Sequence, residues 1–298
     1  GVGVRVAAAE GGQAPGGVVM TLPADIAAVL AGERRWAMSQ GACLSVLPLL
    51  PDKGVAHVVT DPPYEMEAHT KARRALSGGG TQRRNTGGRI RSIDQPLEIS
   101  FPAITERERT GCGAQFGRLC VRWCVVFCQA EAVAAWRCSL VAGGLDWIRA
   151  GVWVKPNGAP QFTGDRPGMG FESLAIAHRG GRKRWNGGGR HAVWEHPIEK
   201  VVSPGGGSLK RDHPTQKPLS LMLELIALFT EEGDVVLDPF AGSGTTGVAC
   251  LRLDRRFIGV ELSPEYVAVA CERLEAETQG LSLRAARSGQ QPLFPGTA

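Results

Sequence analysis

The chain has 298 residues, of which 43% are hydrophobic and 21% are charged, which is enough apolar material for one large core. This composition excludes a disulfide-stabilised mini-protein and a wholly disordered chain. The formal net charge is only +5, so the placement of the basic residues is more informative than their sum. Charged residues interrupt the most apolar region, 121–154, before it reaches the roughly 20 residues of a membrane span. We therefore expect no membrane partner.

The eight cysteines lie mostly within apolar segments, which is typical of reduced thiols in a cytoplasmic protein. Cys120, Cys124 and Cys128 are evenly spaced, but no accompanying ligand spacing fits an iron–sulfur site, so we predict no metal. The Gly- and Ala-rich residues 1–19 lack the apolar region of a signal peptide, and we predict a disordered lead. Residues 279–298 are predicted to form a disordered tail.

The first clear element is an apolar strand at 55–60 that ends in Asp-Pro-Pro-Tyr. A mobile loop is predicted over 65–109, because its central part, 71–91, has seven basic residues, five glycines and no acidic residue. Helices near 112–120 and 131–142 then alternate with strands at 122–128, 146–154 and 172–178. This alternation predicts a mostly parallel α/β sheet.

Residues 179–211 interrupt the alternation with eight basic and two acidic side chains, among which lie Trp185 and Trp194. A solvated surface loop is one interpretation. Basic residues interleaved with aromatic ones also suit phosphate contacts and base stacking on nucleic acid. The α/β pattern then resumes with a helix at 218–231, a strand at 234–238, a helix at 244–253, a strand at 257–262 and a last helix from Ser263.

The strand at 234–238 runs into a glycine-rich turn that opens the next helix. Such a turn lets a ligand approach the backbone and directs helix N–H groups at it. Glu261 follows Gly242 by 19 positions and ends the next strand, where an acidic residue can bind ribose hydroxyls. We expect an adenosine-containing cofactor. The turn alone leaves a nicotinamide-dependent oxidoreductase open.

Asp61-Pro62-Pro63-Tyr64 is the second chemical signal. Consecutive prolines stiffen the chain and remove two backbone donors, which leaves carbonyl groups free. A carboxylate, a rigid carbonyl and an aromatic ring together suit a planar exocyclic amine, with Asp61 and the Pro62 carbonyl as acceptors and Tyr64 as a stacking ring. A strand-ending turn with a packed tyrosine is the structural alternative.

Three segments together resemble a known family: VVTDPPY at 58–64, HPTQKP at 213–218 and DPFAGSGTT at 238–246. They are similar to the catalytic, tenth and cofactor motifs of amino-group DNA methyltransferases, in the order of the permuted β class. The resemblance covers roughly 40–275. It implies a seven-stranded, mostly parallel, Rossmann-like sheet with helices on both faces, a catalytic domain over 20–278 and a DNA-recognition insertion at 179–212.

The resemblance also implies roles in binding S-adenosylmethionine. The turn would surround the methionine moiety, Glu261 would hold the ribose, and Lys217 with Thr215 would meet the carboxylate. The full cofactor set is Asp238, Phe240, Gly242, Ser243, Gly244, Thr245, Glu261, Thr215 and Lys217. The family commonly has an acidic residue that contacts the cofactor adenine where this chain has Ala42 in Gly41-Ala42-Cys43.

DNA is the partner that the resemblance implies. We expect phosphate contacts from Arg83 and Arg84 in the mobile loop, and sequence reading by the basic insertion through Arg182, Arg184, Trp185, Arg190 and Trp194. A homodimer and a cognate restriction endonuclease are further partners that the family allows.

The implied reaction is methyl transfer to an exocyclic amine of a base that has flipped out of the duplex. It requires no covalent enzyme intermediate and no metal. In the family, Asp at the first position of the catalytic motif goes mostly with N6-adenine and Ser mostly with N4-cytosine, so Asp61 favours adenine. N4-cytosine remains the alternative target.

Overall fold

The computed structural model describes residues 21–64, 103–158, 165, 167–199 and 216–281. Several predicted features lie outside these ranges: the lead at 1–19, most of the loop at 65–109 with Arg83 and Arg84, Thr215, and most of the tail at 279–298.

The described residues form one eight-stranded sheet in the order β1-β8-β7-β2-β3-β5-β4-β6. Its strands are β1 (Trp36–Gln40), β2 (His57–Thr60), β3 (Trp123–Cys128), β4 (Asp146–Val154), β5 (Phe171–His178), β6 (Val193–Glu195), β7 (Val235–Asp238) and β8 (Arg256–Glu261). Only β5 is antiparallel to its neighbours, β3 and β4. The predicted α/β class is confirmed, with one strand more than the seven expected because β6 pairs with β4 at the edge.

Helices cover both faces of the sheet. They are α1 (Ala24–Ala31), α2 (Cys43–Val46), α3 (Glu106–Leu119), α4 (Val133–Ala142), α5 (Leu219–Phe229), α6 (Thr245–Arg252) and α7 (Pro264–Thr278). The first four pack on one face and the last three on the other, because successive strand residues such as Val58 and Val59 point to opposite cores. Within the described ranges, no helix is long and apolar enough to cross a membrane.

The prediction of a mobile loop over 65–109 is wrong at its carboxyl end, because α3 begins at Glu106 rather than near 112. Thr105 and Glu108 form a capping box in which each side chain accepts a hydrogen bond from the other residue's backbone N–H. Such reciprocal bonds satisfy two N–H groups at a helix start. The Thr-x-x-Glu pattern was visible in the sequence and marks this start.

The base-stacking role predicted for Trp194 is also wrong in this structure, because its side chain is 1% exposed. Trp194 lies at the centre of β6, between exposed Val193 and Glu195, and packs 6.1 Å from Phe229 between ring centroids. The alternation of a strand thus directs the indole into the core. Trp185 is half-buried and packs 4.9 Å from the same Phe229 ring.

Trp194→Ala should lower the free energy of unfolding by about 3–5 kcal/mol, because it leaves a large cavity in the core. Val193→Ala, on the same strand but 51% exposed, is the matched control and should cost far less. Urea unfolding followed by circular dichroism measures both. Equal losses in the two variants would show that Trp194 is not a core residue.

Candidate active site

The predicted functional segments meet at one edge of the sheet. Strands β2, β7 and β8 run parallel and are neighbours, so their carboxyl ends lie side by side. Asp61 follows β2, the glycine-rich turn follows β7 and Glu261 ends β8. We call this the carboxyl edge. It is where open α/β sheets bind their ligands.

Asp238 joins the catalytic segment to the glycine-rich turn. Its Oδ1 accepts hydrogen bonds from Thr60 Oγ1 at 2.7 Å and from the Phe240 N–H at 3.1 Å, and its Oδ2 accepts one from Thr246 Oγ1 at 2.6 Å. Burial raises the pKa of Asp238 to about 6, although these hydrogen bonds oppose the rise. The carboxylate therefore binds protein groups from β2, the turn and α6. Its predicted contact with a cofactor stays a prediction.

The glycine-rich turn has a backbone that requires glycine. Gly242 and Gly244 have φ angles of 51° and 79°, in the left-handed region that side chains disfavour. From α7, Arg273 donates to Ser243 Oγ at 2.9 Å and to Thr245 Oγ1 at 3.2 Å. These two hydroxyls thus hold the turn against α7.

The Glu261 carboxylate fits the predicted ribose site. Its Oε2 accepts a hydrogen bond from the Gly242 N–H and its Oε1 accepts one from the Ser263 N–H, both at 2.9 Å. A carboxylate has about four acceptor positions, so each oxygen keeps capacity for a hydroxyl donor. The side chain is partly exposed and held in one orientation. A carboxylate acceptor held in this way fits the ribose hydroxyls of an adenosine-containing cofactor.

Ala42 lies beside this site, because the neighbouring Gly41 N–H donates to the Glu261 carbonyl oxygen at 2.9 Å. Ala42 occupies the N-cap position of α2 and provides no side-chain cap. The structure therefore places Ala42, where the family commonly has an acidic residue, next to Glu261. The Ala42 side chain offers no carboxylate to the cofactor site.

Asp61 has one bound and one unbound oxygen. Oδ2 accepts a hydrogen bond from Lys217 Nζ, whereas Oδ1 is buried and has no hydrogen-bond partner among the described residues. Burial raises the pKa of Asp61, and the nearby Glu172 carboxylate adds to the rise while Lys217 opposes it. A buried acceptor without a partner is costly. It marks a position for an incoming donor.

Tyr64 and the two prolines line a pocket beside Asp61, together with Phe127. The Tyr64 ring centroid lies 5.7 Å from Lys217 Nζ. Burial raises the pKa of Tyr64 well above its usual value, and the Glu172 and Asp61 carboxylates add to the rise, so the hydroxyl stays protonated. The Tyr64 ring therefore lies close to the Lys217 ammonium group, and its stacking on a base stays a prediction.

Two charged residues that the sequence analysis missed complete a buried cluster. Glu172 Oε1 accepts a hydrogen bond from Lys155 Nζ at 2.5 Å, and Glu172 Oε2 lies 3.1 Å from Lys217 Nζ. Although burial opposes ionisation, the ammonium groups of Lys217 and Lys155 lower the pKa of Glu172 to about 2. We call Asp61, Lys155, Glu172 and Lys217 the charge cluster. Glu172 is the one acidic residue of the strand Phe171–His178, and this was the available signal.

Lys217 pairs with two carboxylates of the charge cluster. Its ammonium group contacts Asp61 and Glu172, and its side chain is 9% exposed. The two carboxylates raise the pKa of Lys217, although burial opposes this. A contact with the cofactor carboxylate stays a prediction.

The predicted DNA-reading residues of the insertion are not gathered at the carboxyl edge. The Arg184 carbonyl accepts a hydrogen bond from Trp123, at the opposite end of β3, and its guanidinium pairs with Glu231. Arg182 and Trp185 belong to the same stretch. Arg190 pairs with Glu224 on α5. DNA contacts by these residues stay predictions.

Known proteins are similar to this chain in sequence and in fold. A family model described as DNA methylase, covering the N6 and N4 types, matches residues 125–272, about half of the chain, including the glycine-rich turn and Glu261. Over these residues the chain is similar to the N6/N4 DNA methylases. The matched region begins after the Asp61 segment, which adds a motif outside it.

Relatives and solved structures extend over most of the chain. The type II methyltransferase M2.DpnII of Streptococcus pneumoniae is 27% identical over 286 residues, which are 89% of this chain and 96% of that protein. TTHA0409 of Thermus thermophilus, complexed with S-adenosylmethionine, has 23% identity and a TM-score of 0.56, covering 88% of this chain and 99% of that one. The cytosine-N4-specific PvuII DNA methyltransferase has 16% identity and the same TM-score, covering 87% and 94%.

The titration of Asp238 should be visible in protein stability. Because its pKa is about 6 in the folded protein against an ordinary value of 3.8, the folded state binds the proton more tightly and loses stability as the pH rises between these values. Asp238→Asn removes this loss. The free energy of unfolding of the variant minus that of the wild type should increase by about 2–3 kcal/mol between about pH 4 and pH 7. A difference that does not change with pH would contradict the raised pKa.

Proposed function

We propose that the protein is an S-adenosylmethionine-dependent DNA methyltransferase that methylates the exocyclic N6 of an adenine flipped out of a specific DNA sequence. The observation that carries this proposal is the buried Asp61 Oδ1, which has no partner among the described residues. It lies one residue after Thr60, which is hydrogen-bonded through Asp238 to the glycine-rich turn. An acceptor for an amine is thereby held beside a site for a cofactor.

S-adenosylmethionine, when bound, supplies an electrophilic methyl group. Glu261 would hold the ribose hydroxyls, and the turn from Phe240 to Gly244 would surround the methionine moiety. The match to the DNA methylase family model and the fold shared with S-adenosylmethionine-bound TTHA0409 favour this cofactor. A nicotinamide oxidoreductase would leave the Asp61 segment and the charge cluster without a role.

The residues of the catalytic segment orient the target amine. Asp61 Oδ1 would accept one amino N–H and the Pro62 carbonyl the other, which favours localisation of the nitrogen lone pair toward the methyl group. The Tyr64 ring would stack on the flipped base and offset part of the few kcal/mol that flipping costs. Alignment and electrostatics are the contributions of this site.

Adenine is favoured over cytosine by the Asp at position 61. The cytosine N4 amine offers the same pair of N–H groups, and the PvuII enzyme, which is cytosine-N4-specific, has a similar fold. DNA from a methylase-deficient host expressing the chain decides the question when its nucleosides are separated by mass spectrometry. N6-methyladenine is the expected product. Detection of N4-methylcytosine would favour the cytosine alternative. The absence of both modified bases would reject the proposed function.

The relatives named as type II methyltransferases favour a role in restriction–modification. We infer that the protein modifies a defined sequence, which long-read sequencing of the same DNA identifies. A homodimer and a cognate endonuclease stay predictions.

Asp61→Asn should reduce methyl transfer by at least about a hundredfold, because the amide NH2 can turn a donor toward the target amine and the charge is lost. The affinity for S-adenosylmethionine should stay within about threefold, since Asp61 faces the base. Single-turnover methylation and calorimetric titration measure the two quantities. Turnover near the wild-type rate would remove Asp61 from the catalytic site.

Glu261→Gln should weaken the binding of S-adenosylmethionine by about tenfold, because a charged acceptor for the ribose is replaced by a neutral one. The same loss should occur for S-adenosylhomocysteine, which carries the same ribose. Deoxyribose analogues should lose little further affinity in the variant. If these analogues lose as much affinity in the variant as in the wild type, another residue holds the ribose.

A further inference from the structure

We infer that Glu172 is a positioning residue for methyl transfer: it holds Lys217 to one side of Asp61, so that Asp61 keeps one oxygen for the target amine. This inference rests on the proposed function. Glu172 would act through Lys217 and would not touch the substrate itself.

The sheet topology brings Glu172 to the carboxyl edge. Because β5 is antiparallel to β3 and β4, its first residues lie beside the last residues of both neighbours. Ser173 pairs with Cys128, and Phe171 pairs with Val154, which precedes Lys155. Because β5 runs in the opposite direction, Glu172 near its start lies at the same edge as Asp61 and Lys155, which follow the ends of β2 and β4.

The ammonium group of Lys217 lies next to two carboxylates. An ammonium group has three N–H donors and no acceptor. Lys217 donates a hydrogen bond to Asp61 Oδ2 and forms an ion pair, without hydrogen-bond geometry, with Glu172 Oε2 at 3.1 Å. Without the Glu172 charge, Asp61 would be the only anion paired with this ammonium within the described part of the chain. Lys217 could then bind both Asp61 oxygens and displace the amine.

The charge balance gives Glu172 a second effect on the same step. The target nitrogen gains positive charge as the new bond to carbon forms, and an uncompensated ammonium nearby would oppose this. Two carboxylates and two ammonium groups make the charge cluster neutral. Glu172 thus compensates Lys217, while Asp61 remains available to the amine.

Lys155 fixes the orientation of Glu172. Its Nζ donates to Glu172 Oε1 at 2.5 Å, and the side chains of Lys155 and Glu172 are each 13% exposed. Burying such charges is expensive, and apolar residues in their place often give equal or greater stability. A buried ionic cluster at a pocket is therefore better explained by function than by stability.

The test compares Glu172→Gln, which keeps the size and removes the charge, with the wild type in single-turnover methylation of DNA at saturating cofactor. We expect the rate to fall by about tenfold or more, with cofactor affinity within about twofold. The acid limb of the pH–rate profile should also move to lower pH, because Glu172 raises the pKa of Asp61. Among the residues that the structure describes, the titratable or charged groups around Asp61 are Tyr64, Lys155, Glu172, Lys217 and Asp238.

Asp234→Asn is the matched control, because Asp234 is also a largely buried carboxylate between two basic groups, Arg122 and His57. It precedes β7 and so lies at the opposite edge of the sheet. This variant should lose stability without a change in rate or in the acid limb. A rate loss equal to that of Glu172→Gln would mean that loss of any buried ion pair is enough, which would overturn the inference.

A double-mutant cycle separates action through Lys217 from a general structural role. If Glu172 acts through Lys217, Glu172→Gln should add little in a Lys217→Met background; additive losses would overturn the inference. Should Glu172→Gln not fold, Lys155→Gln carries the same test, since it releases the other side of Glu172. Lys155→Gln should likewise lower the rate when Lys217 is present and add little in the Lys217→Met background.

The two levels of the proposal fail differently. If the wild-type protein does not methylate DNA, the proposed function is wrong. If the wild type methylates DNA while Glu172→Gln keeps its rate and its acid limb, only the positioning role is wrong.

Discussion

The hydrogen bonds of the Asp238 carboxylate are the constraint on which the site depends. They join Thr60 of β2, the Phe240 N–H in the turn and Thr246 of α6. Asp61 follows Thr60 directly, so the group that would bind the amine and the turn that would bind the methyl donor share one buried anchor. Such a shared anchor restricts the variation in the distance between the two reacting groups. The rate of in-line transfer depends steeply on that distance.

The chemistry-bearing segments could be predicted from the sequence, because each is local. The glycine-rich turn, Glu261 and the Asp61 segment are short patterns that follow apolar strands, and the alternation of strands and helices indicates that their ends meet at one edge. The start of α3 at Thr105 was also present as a local pattern, although it was assigned to a loop. Local hydrogen-bond requirements determine all of these features.

The remaining features depend on long-range pairing. Lys217 and Asp61 are 156 positions apart, and the contact of Lys217 with Glu172 requires the reversed direction of β5, which no local pattern specifies. Trp194 appears among basic residues in the sequence and is buried because Val193–Glu195 joins the sheet as β6. Local sequence composition describes only the neighbours of a residue along the chain. Its burial depends on which other strands and helices pack around it.

The strand order also has a consequence for synthesis. β1 pairs with β8, and β2 pairs with both β3 and β7, so the pairing of the first two strands is complete only when the last ones are present. The β4–β5 pair can form as soon as residues up to His178 have left the ribosome. The catalytic edge must wait until Glu261 has been made, because a domain cannot close such distant contacts earlier. A nascent or truncated chain can therefore contain every residue of the Asp61 segment and still have no site.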